Sequence, residues 1–246
     1  MKIIGNPGVK AIIYIGLILT GLIKGAGAIQ AQSHGELKNE PPAVTILSAS
    51  IKKGYLPGAR VYYSISVTDV EDGSSEYDEI AAGEVFLKVQ YVHDTAEIRR
   101  IRTGEQEPPG LVSARKFSCF TCHNAKSRLI GPSFEDIANK YKKDGRMPGY
   151  LVEKVAQGTT GTWGEQIMPP HKDISRGEIT AVVQWILTSA DDPNVNYFTG
   201  LSGTFETSGT GGGVYILTAV YTDHGDTGTP FSGKTGTYSV VLWPGN

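Results

Sequence analysis

Two kinds of hydrophobic spacing alternate along this chain of 246 residues. From Pro41 to Val92, apolar and polar residues take turns in Val44–Ile51, Val61–Val67 and Val85–Val92, with turn clusters at Gly54–Gly58 and Asp69–Ser75. A period of two in β-branched and aromatic residues predicts half-buried strands. The pattern returns late, in Gly203–Thr207, Val214–Tyr221 and Tyr238–Trp243. Between these flanks the spacing is helical. Ile179, Val182, Val183, Ile186 and Leu187 share one face behind Ser175-Arg-Gly-Glu178, which has the capping-box form. Ser133 is placed to cap a helix through Lys143, with Glu135 and Asp136 in its first turn. A third helix is expected over Gly149–Gln157, ended by Gly158, and a short one over Ala114–Cys122.

The N-terminus carries Lys2 and Lys10 ahead of the apolar run Ala11–Ile23, then Ala26-Gly-Ala28. The run is shorter than the roughly 20 residues that span a bilayer. It reads as a secretory signal over residues 1–28, which implies a periplasmic or secreted protein of a Gram-negative bacterium. Membrane contact is expected only if that signal stays uncleaved, an option left by Lys24. The divisions that follow are a β segment at 41–95, a linker at 96–112, a helical domain at 113–191 and a second β segment at 198–246. Each flank, at about 55 residues, is near the lower limit for an independent core. The expected fold is therefore an all-α domain inserted between two halves of one immunoglobulin-like β-sandwich of six or seven strands. Two independent β modules are the alternative.

Composition adds little until the cysteines are placed. The formal net charge is −2, and Arg99-Arg100-Ile-Arg102 is too small a basic patch to suggest nucleic acid. The only two cysteines stand in Cys119-Phe-Thr-Cys122-His123. This C-x-x-C-H spacing is the attachment site of a c-type haem: two thiols on one turn can add to one porphyrin edge, and the following histidine can ligate iron. A dithiol redox motif or half of a zinc site is the competing reading, but no second cysteine pair exists. For the sixth iron position the first candidate is Met168, in the Gly/Pro-punctuated loop Trp163–Pro170. Met147, His171 and His93 are the alternatives. Export agrees with this cofactor, since c-type haem is attached outside the cytoplasmic membrane.

From Ser113 to Ala190 these elements resemble the small bacterial class I cytochromes c. The likeness rests on Cys119-Phe-Thr-Cys122-His123, Leu129-Ile-Gly131-Pro132-Ser-Phe, Trp163-Gly-x-x-x-Met168-Pro-Pro and a helix containing Trp185. The resemblance implies that the Pro132 carbonyl holds the Nδ1–H of His123. It also implies that Trp163 hydrogen-bonds a haem propionate and that Met168 is the axial partner of His123. One covalent haem c then carries single electrons between redox partner proteins, a dehydrogenase donor and a cytochrome or oxidase acceptor. The β stretches Val61–Gly73 and Thr218–Asp223 resemble the segments beside cytochromes associated with sorbosone/glucose dehydrogenases in Bacteroidetes, which points to a sugar-oxidising donor.

No Ser/His/Asp or paired-carboxylate constellation is legible, so the expectation is an electron-transfer protein rather than an enzyme. Two other classes stay open: a haem protein with an open distal site (a peroxidase or gas sensor), and a carbohydrate-binding β module with a cytochrome attached. Charge is uneven, with eight Lys/Arg against three Asp/Glu over Arg115–Arg146 and eight against twelve over Lys38–Val112. The basic stretch suits an acidic partner patch, or is ordinary surface. The acidic stretch Asp69–Glu79 is a candidate calcium turn or a solvated loop. Thr222-Asp223-His224-Gly-Asp226 suits a sugar, a cation or simple turn chemistry.

Overall fold

Strands form wherever alternation gives the chain one side to bury. In β1 (Ala43–Leu47) Val44 and Ile46 point into the core, and in β2 (Arg60–Asp69) Val61, Tyr63, Ile65 and Val67 do so, while Tyr62 and Thr68 stay exposed. In the computed structural model of the protein the described residues are 39–48, 50–94, 98, 107–208, 212–225 and 233–245. The expected signal segment, 1–28, lies outside them.

Chain order continues with β3 (Gly73–Ser74) and β4 (Phe86–Val92), then the helical region. That region holds α1 (Pro109–Lys116), α2 (Phe134–Tyr141), α3 (Met147–Gln157), the ribbon β5 (Thr159–Gly161) with β6 (Gly164–Met168), and α4 (Arg176–Ser189). Four strands close the chain: β7 (Val195–Thr199), β8 (Ser202–Glu206), β9 (Val214–Thr222) and β10 (Thr235–Leu242).

Outside the ribbon the strands make two antiparallel sheets, and each draws on both flanks. One joins β1, β2 and β3 with β8, Arg60 lying opposite Glu206. The other runs β10-β9-β4-β7, with Phe86 opposite Val220 and Thr199. A shared core, including Val67, Tyr63, Leu87, Leu217, Tyr221 and Leu242, fills the space between the sheets.

The second sheet is covered on its other face as well. Phe86 and Val220, with Tyr197, pack against Leu111, Ala114, Phe120, Trp185 and Ile186 of the helical region. Ile98 sits against Val92, Val214 and Ile216. Burial on both sides explains why β9 is apolar almost throughout, from Val214 to Tyr221.

Local signals set the helices. Ser133 Oγ accepts from Asp136 N at 3.0 Å, and Ser175 and Glu178 complete a reciprocal capping box. Helices α1 and α4 cross at Gly110, where a Cβ would stand 2.1 Å from the Ala181 carbonyl oxygen. Only glycine permits that approach.

Four expectations differ from the structure. The first helix is Pro109–Lys116 rather than Ala114–Cys122. It starts on a proline at its first position, and Ser118, with φ 54°, turns the chain out of it before the cysteines. Met168 ends a strand instead of lying in a loop. Strand β7 begins at Val195, inside the expected connection, and the described residues hold eight sheet strands outside the ribbon where six or seven are expected.

Candidate functional site

Beyond Ser118 the chain winds into one tight turn, Cys119–Thr121. The N–H groups of Cys122 and His123 both donate to the Cys119 carbonyl, at 3.3 and 3.1 Å. Cys119, Cys122 and His123 therefore share one turn and line one cleft. The residue between the thiols, Phe120, points the other way and is buried. Its ring meets Phe86 at 4.7 Å, edge to face, and Phe134 at 5.0 Å. These aromatic contacts clamp the turn from behind.

His123 is fixed from three sides. Its Nδ1–H donates to the Pro132 carbonyl at 2.7 Å, which leaves Nε2 with the ring's lone pair. Phe134 stacks on the imidazole at 5.4 Å and 23°. Gly131 passes directly against the ring, since a Cβ there would lie 2.5 Å from His123 Cε1. The N–H groups of Ile130 and Gly131 reach back to the Cys122 carbonyl at 3.2 and 2.9 Å, tying this loop to the turn. Burial, then the nearby His171, holds the His123 pKa below the usual histidine range despite the Pro132 bond. That direction favours the neutral ring, the form in which histidine ligates a metal.

The ribbon supplies another wall. Met168, half-buried, pairs with Thr159 and lines the cleft, as does Trp163. Arg128 Nη2 donates to the Trp163 carbonyl at 2.9 Å, and Lys140 Nζ lies 4.4 Å over its indole. The structure thus brings all six candidates, Cys119, Cys122, His123, Pro132, Trp163 and Met168, to one cleft of about 1320 Å³, open mouth included. Of the alternative ligands, His171 lines it too. Met147 starts α3 and does not line it, and His93 meets Tyr91 edge to face at 4.6 Å in the sandwich region. Sequence reasoning missed Phe134 as the stacking partner of His123 and Arg128 as the tether of Trp163. Gly131 stood in the quoted motif, but its contact with the ring needs the fold to be seen.

The residues fit a covalently held haem. Both thiols are free and half-buried, and burial, with Cys122 beside it, pushes the Cys119 thiol up to about 11. A redox dithiol needs the opposite, a depressed pKa. The cleft walls are mostly apolar, with Ile137, Leu151, Val183 and Ile186 among them. That is the environment a porphyrin plane needs.

Comparison with known proteins agrees over this stretch. The cytochrome c family model matches residues 113–190. Cytochrome c-551 of Allochromatium vinosum is 40% identical over 77 residues, 31% of this chain and 82% of that protein. Cytochrome c-552 of Nitrosomonas europaea is 37% identical over 75 residues, 30% of this chain and 73% of that one. The crystal structure of wild-type Nitrosomonas europaea cytochrome c552 aligns with 36% identity over 32% of this chain and 96% of that one, with a TM-score of 0.31. With a two-thiol turn, a histidine held by Pro132 and relatives matched over most of their length, the chain belongs to the cytochrome c family, as a class I c-type electron carrier with one covalently attached haem c.

Proposed function

We propose that this chain is an exported, periplasmic monohaem cytochrome in which His123 and Met168 would ligate the iron, with Cys119 and Cys122 as the thioether anchors. Haem c, when bound, supplies one-electron exchange between ferric and ferrous iron. The chain's own residues do the rest. Pro132 and Phe134 keep the imidazole in one tautomer and orientation. Trp163, tethered through Arg128, offers its indole N–H to a propionate. Met168 would be the iron's second protein ligand and would keep substrates off the metal.

The observation that carries this reading is that His123, from the attachment turn, and Met168, from the ribbon, line one cleft. A thioether ligand favours the ferrous state and suits a carrier of raised potential. Arg128, Lys140 and Lys154 lie at or over the cleft, so an acidic partner is favoured, with an association rate that falls as salt is added. The donor in this reading is a sugar-oxidising dehydrogenase and the acceptor a respiratory oxidase or another cytochrome. The two sheets, with the haem segment between their halves in sequence, support an immunoglobulin-like sandwich of the kind found beside such cytochromes in Bacteroidetes.

Optical spectra of the purified holoprotein and of Met168→Ala, with and without carbon monoxide, test the ligation. The expected result is a ferric methionine–iron charge-transfer band, lost in the variant, and no carbon monoxide binding by the wild type. A high-spin wild type that binds carbon monoxide readily overturns the carrier in favour of ligand chemistry. A band that survives in Met168→Ala removes Met168 from the iron.

A further inference from the structure

Trp163 reaches the cleft from a permissive stretch of backbone. Gly161, two residues before it, has φ 87°, and Gly164, directly after it, has φ 111°. Backbone of this kind does not by itself fix a ring. Arg128 tethers the Trp163 carbonyl, but the half-buried indole is held by other means. The Lys140 ammonium lies 4.4 Å from the centre of the indole and 5.3 Å from that of the Tyr141 ring. Tyr141 meets the same indole edge to face, at 6.2 Å and 77°.

A lysine seated this way lacks the partner its neighbours have. Lys116, Lys126 and Lys142 pair with Glu178, Glu135 and Asp191. Among the described residues Lys140 pairs with no carboxylate, and its charge lies over two aromatic rings instead. An ammonium over a ring is attracted by the negative face of the π-system.

Lys140 and Tyr141 end α2, and the start of the same helix serves the histidine. Pro132 takes the His123 Nδ1–H, Ser133 caps the helix, and Phe134 stacks on the imidazole. Eight helical residues, about 12 Å, therefore join the groups that orient His123 to the groups that orient Trp163. The Tyr141 end of this spacer is anchored, since Tyr141 is buried and also meets Tyr150 at 6.3 Å.

We propose that Lys140 is a positioning residue for the haem: it holds the Trp163 indole where its N–H meets a propionate, and so raises the reduction potential. This rests on the reading of Trp163 as a propionate donor. Two effects act in the same direction. An indole that turns away leaves more of the propionate's negative charge uncompensated, and that charge favours ferric iron. A positive charge near the haem favours the ferrous state, which carries one positive charge fewer. Loss of Lys140 therefore lowers the potential on both counts, and only the first effect depends on Trp163.

The test uses the holoprotein and two variants, Lys140→Gln, which removes the charge, and Lys140→Arg, which keeps it. Lys140 is exposed, so neither change disturbs the core. Nuclear magnetic resonance of the reduced protein follows exchange of the Trp163 indole N–H with solvent, the resonance being assigned by its loss in Trp163→Leu. Potentiometry at fixed pH, with no partner protein, gives the reduction potential. In Lys140→Gln the exchange should be about two- to fivefold faster, the factor an exposed cation–π contact is worth, and the potential lower. Lys140→Arg should restore both. The drop in potential should shrink when Lys140→Gln is made in Trp163→Leu, where there is no indole to hold. Unchanged exchange in Lys140→Gln overturns the proposal. So does a drop in potential that is equally large without Trp163, which makes Lys140 a nearby charge and nothing more. A wild-type potential in Trp163→Leu overturns the propionate reading instead, and the exchange rate still decides whether Lys140 holds the ring.

Discussion

Between Pro109 and Ser189 the contacts that build the site are short in sequence. His123 reaches Pro132, Gly131 reaches Cys122, and Ser133 and Ser175 cap the helices they begin. In the sheets the reach is far longer, for Arg60 faces Glu206 and Phe86 faces Val220. The helical region arranges its walls around a cofactor, whereas the sandwich buries side chains only against other side chains. A cofactor core can thus be specified by a few local motifs, while a sheet core is specified by alternation spread over the whole chain. The two meet at one seam, where Phe86 touches Phe120, Arg115 Cζ lies 5.7 Å from the Phe86 ring centre, and Arg115 grips Glu107 through two bonds of 2.5 Å.

The sharpest way to separate the regions is Gly131→Ala. The added methyl would sit 2.5 Å from His123 Cε1, so the ring must leave its place. Most of the histidine-ligated haem spectrum should disappear while the sheet signal in far-ultraviolet circular dichroism persists. A wild-type spectrum from this variant would show that the ring is not held as described. Next in size is Phe86→Ala, which opens the seam from the sandwich side. A buried Phe-to-Ala change costs about 3–5 kcal/mol. Chemical denaturation should register that loss with both regions affected. A loss confined to the sheets would mean that the haem segment does not lean on them.

The smallest effect belongs to the sandwich alone. Burial lowers the His224 pKa, but Asp72 and Glu84 outweigh it and the net shift is upward. Protonated His224 therefore adds stability that is complete below its unfolded pKa of about 6.5 and fades as pH rises through the higher folded value. The His224 side chain is 63% exposed, which keeps the effect small. The melting temperature of wild type relative to His224→Asn should fall across that window while the haem spectrum stays constant. A difference that is flat in pH would remove the histidine from the stability balance.

Much of the haem region was legible because its signals are local. Cys119, Cys122, His123 and the Ser133 and Ser175 caps can be read within a few residues of one another. Ser118 was not, because nothing in its identity announces a left-handed φ, and the sequence alone predicts a first helix that runs through the cysteines. Strand β7 escaped because Val195–Thr199 is half-buried along its whole length and shows no alternation. The nearly unbroken apolar run of β9 carried a further message. It signals a sheet covered on both faces, and only the fold shows that the second cover is the haem region together with Ile98.

The pairing of early strands with late ones also sets an order in time. Strand β2 cannot acquire β8 as a neighbour, nor β4 its partner β9, until the chain beyond Ser202 has been made. The turn bearing both thiols, with the Gly131–Pro132 loop and α2 that support it, is complete long before then. Contacts that span many residues form slowly, and local ones quickly. Until β9 arrives, Phe86 and Phe120 lack Val220 beside them, and the back of the attachment turn is only partly walled. Closing the sheets is the step that locks it.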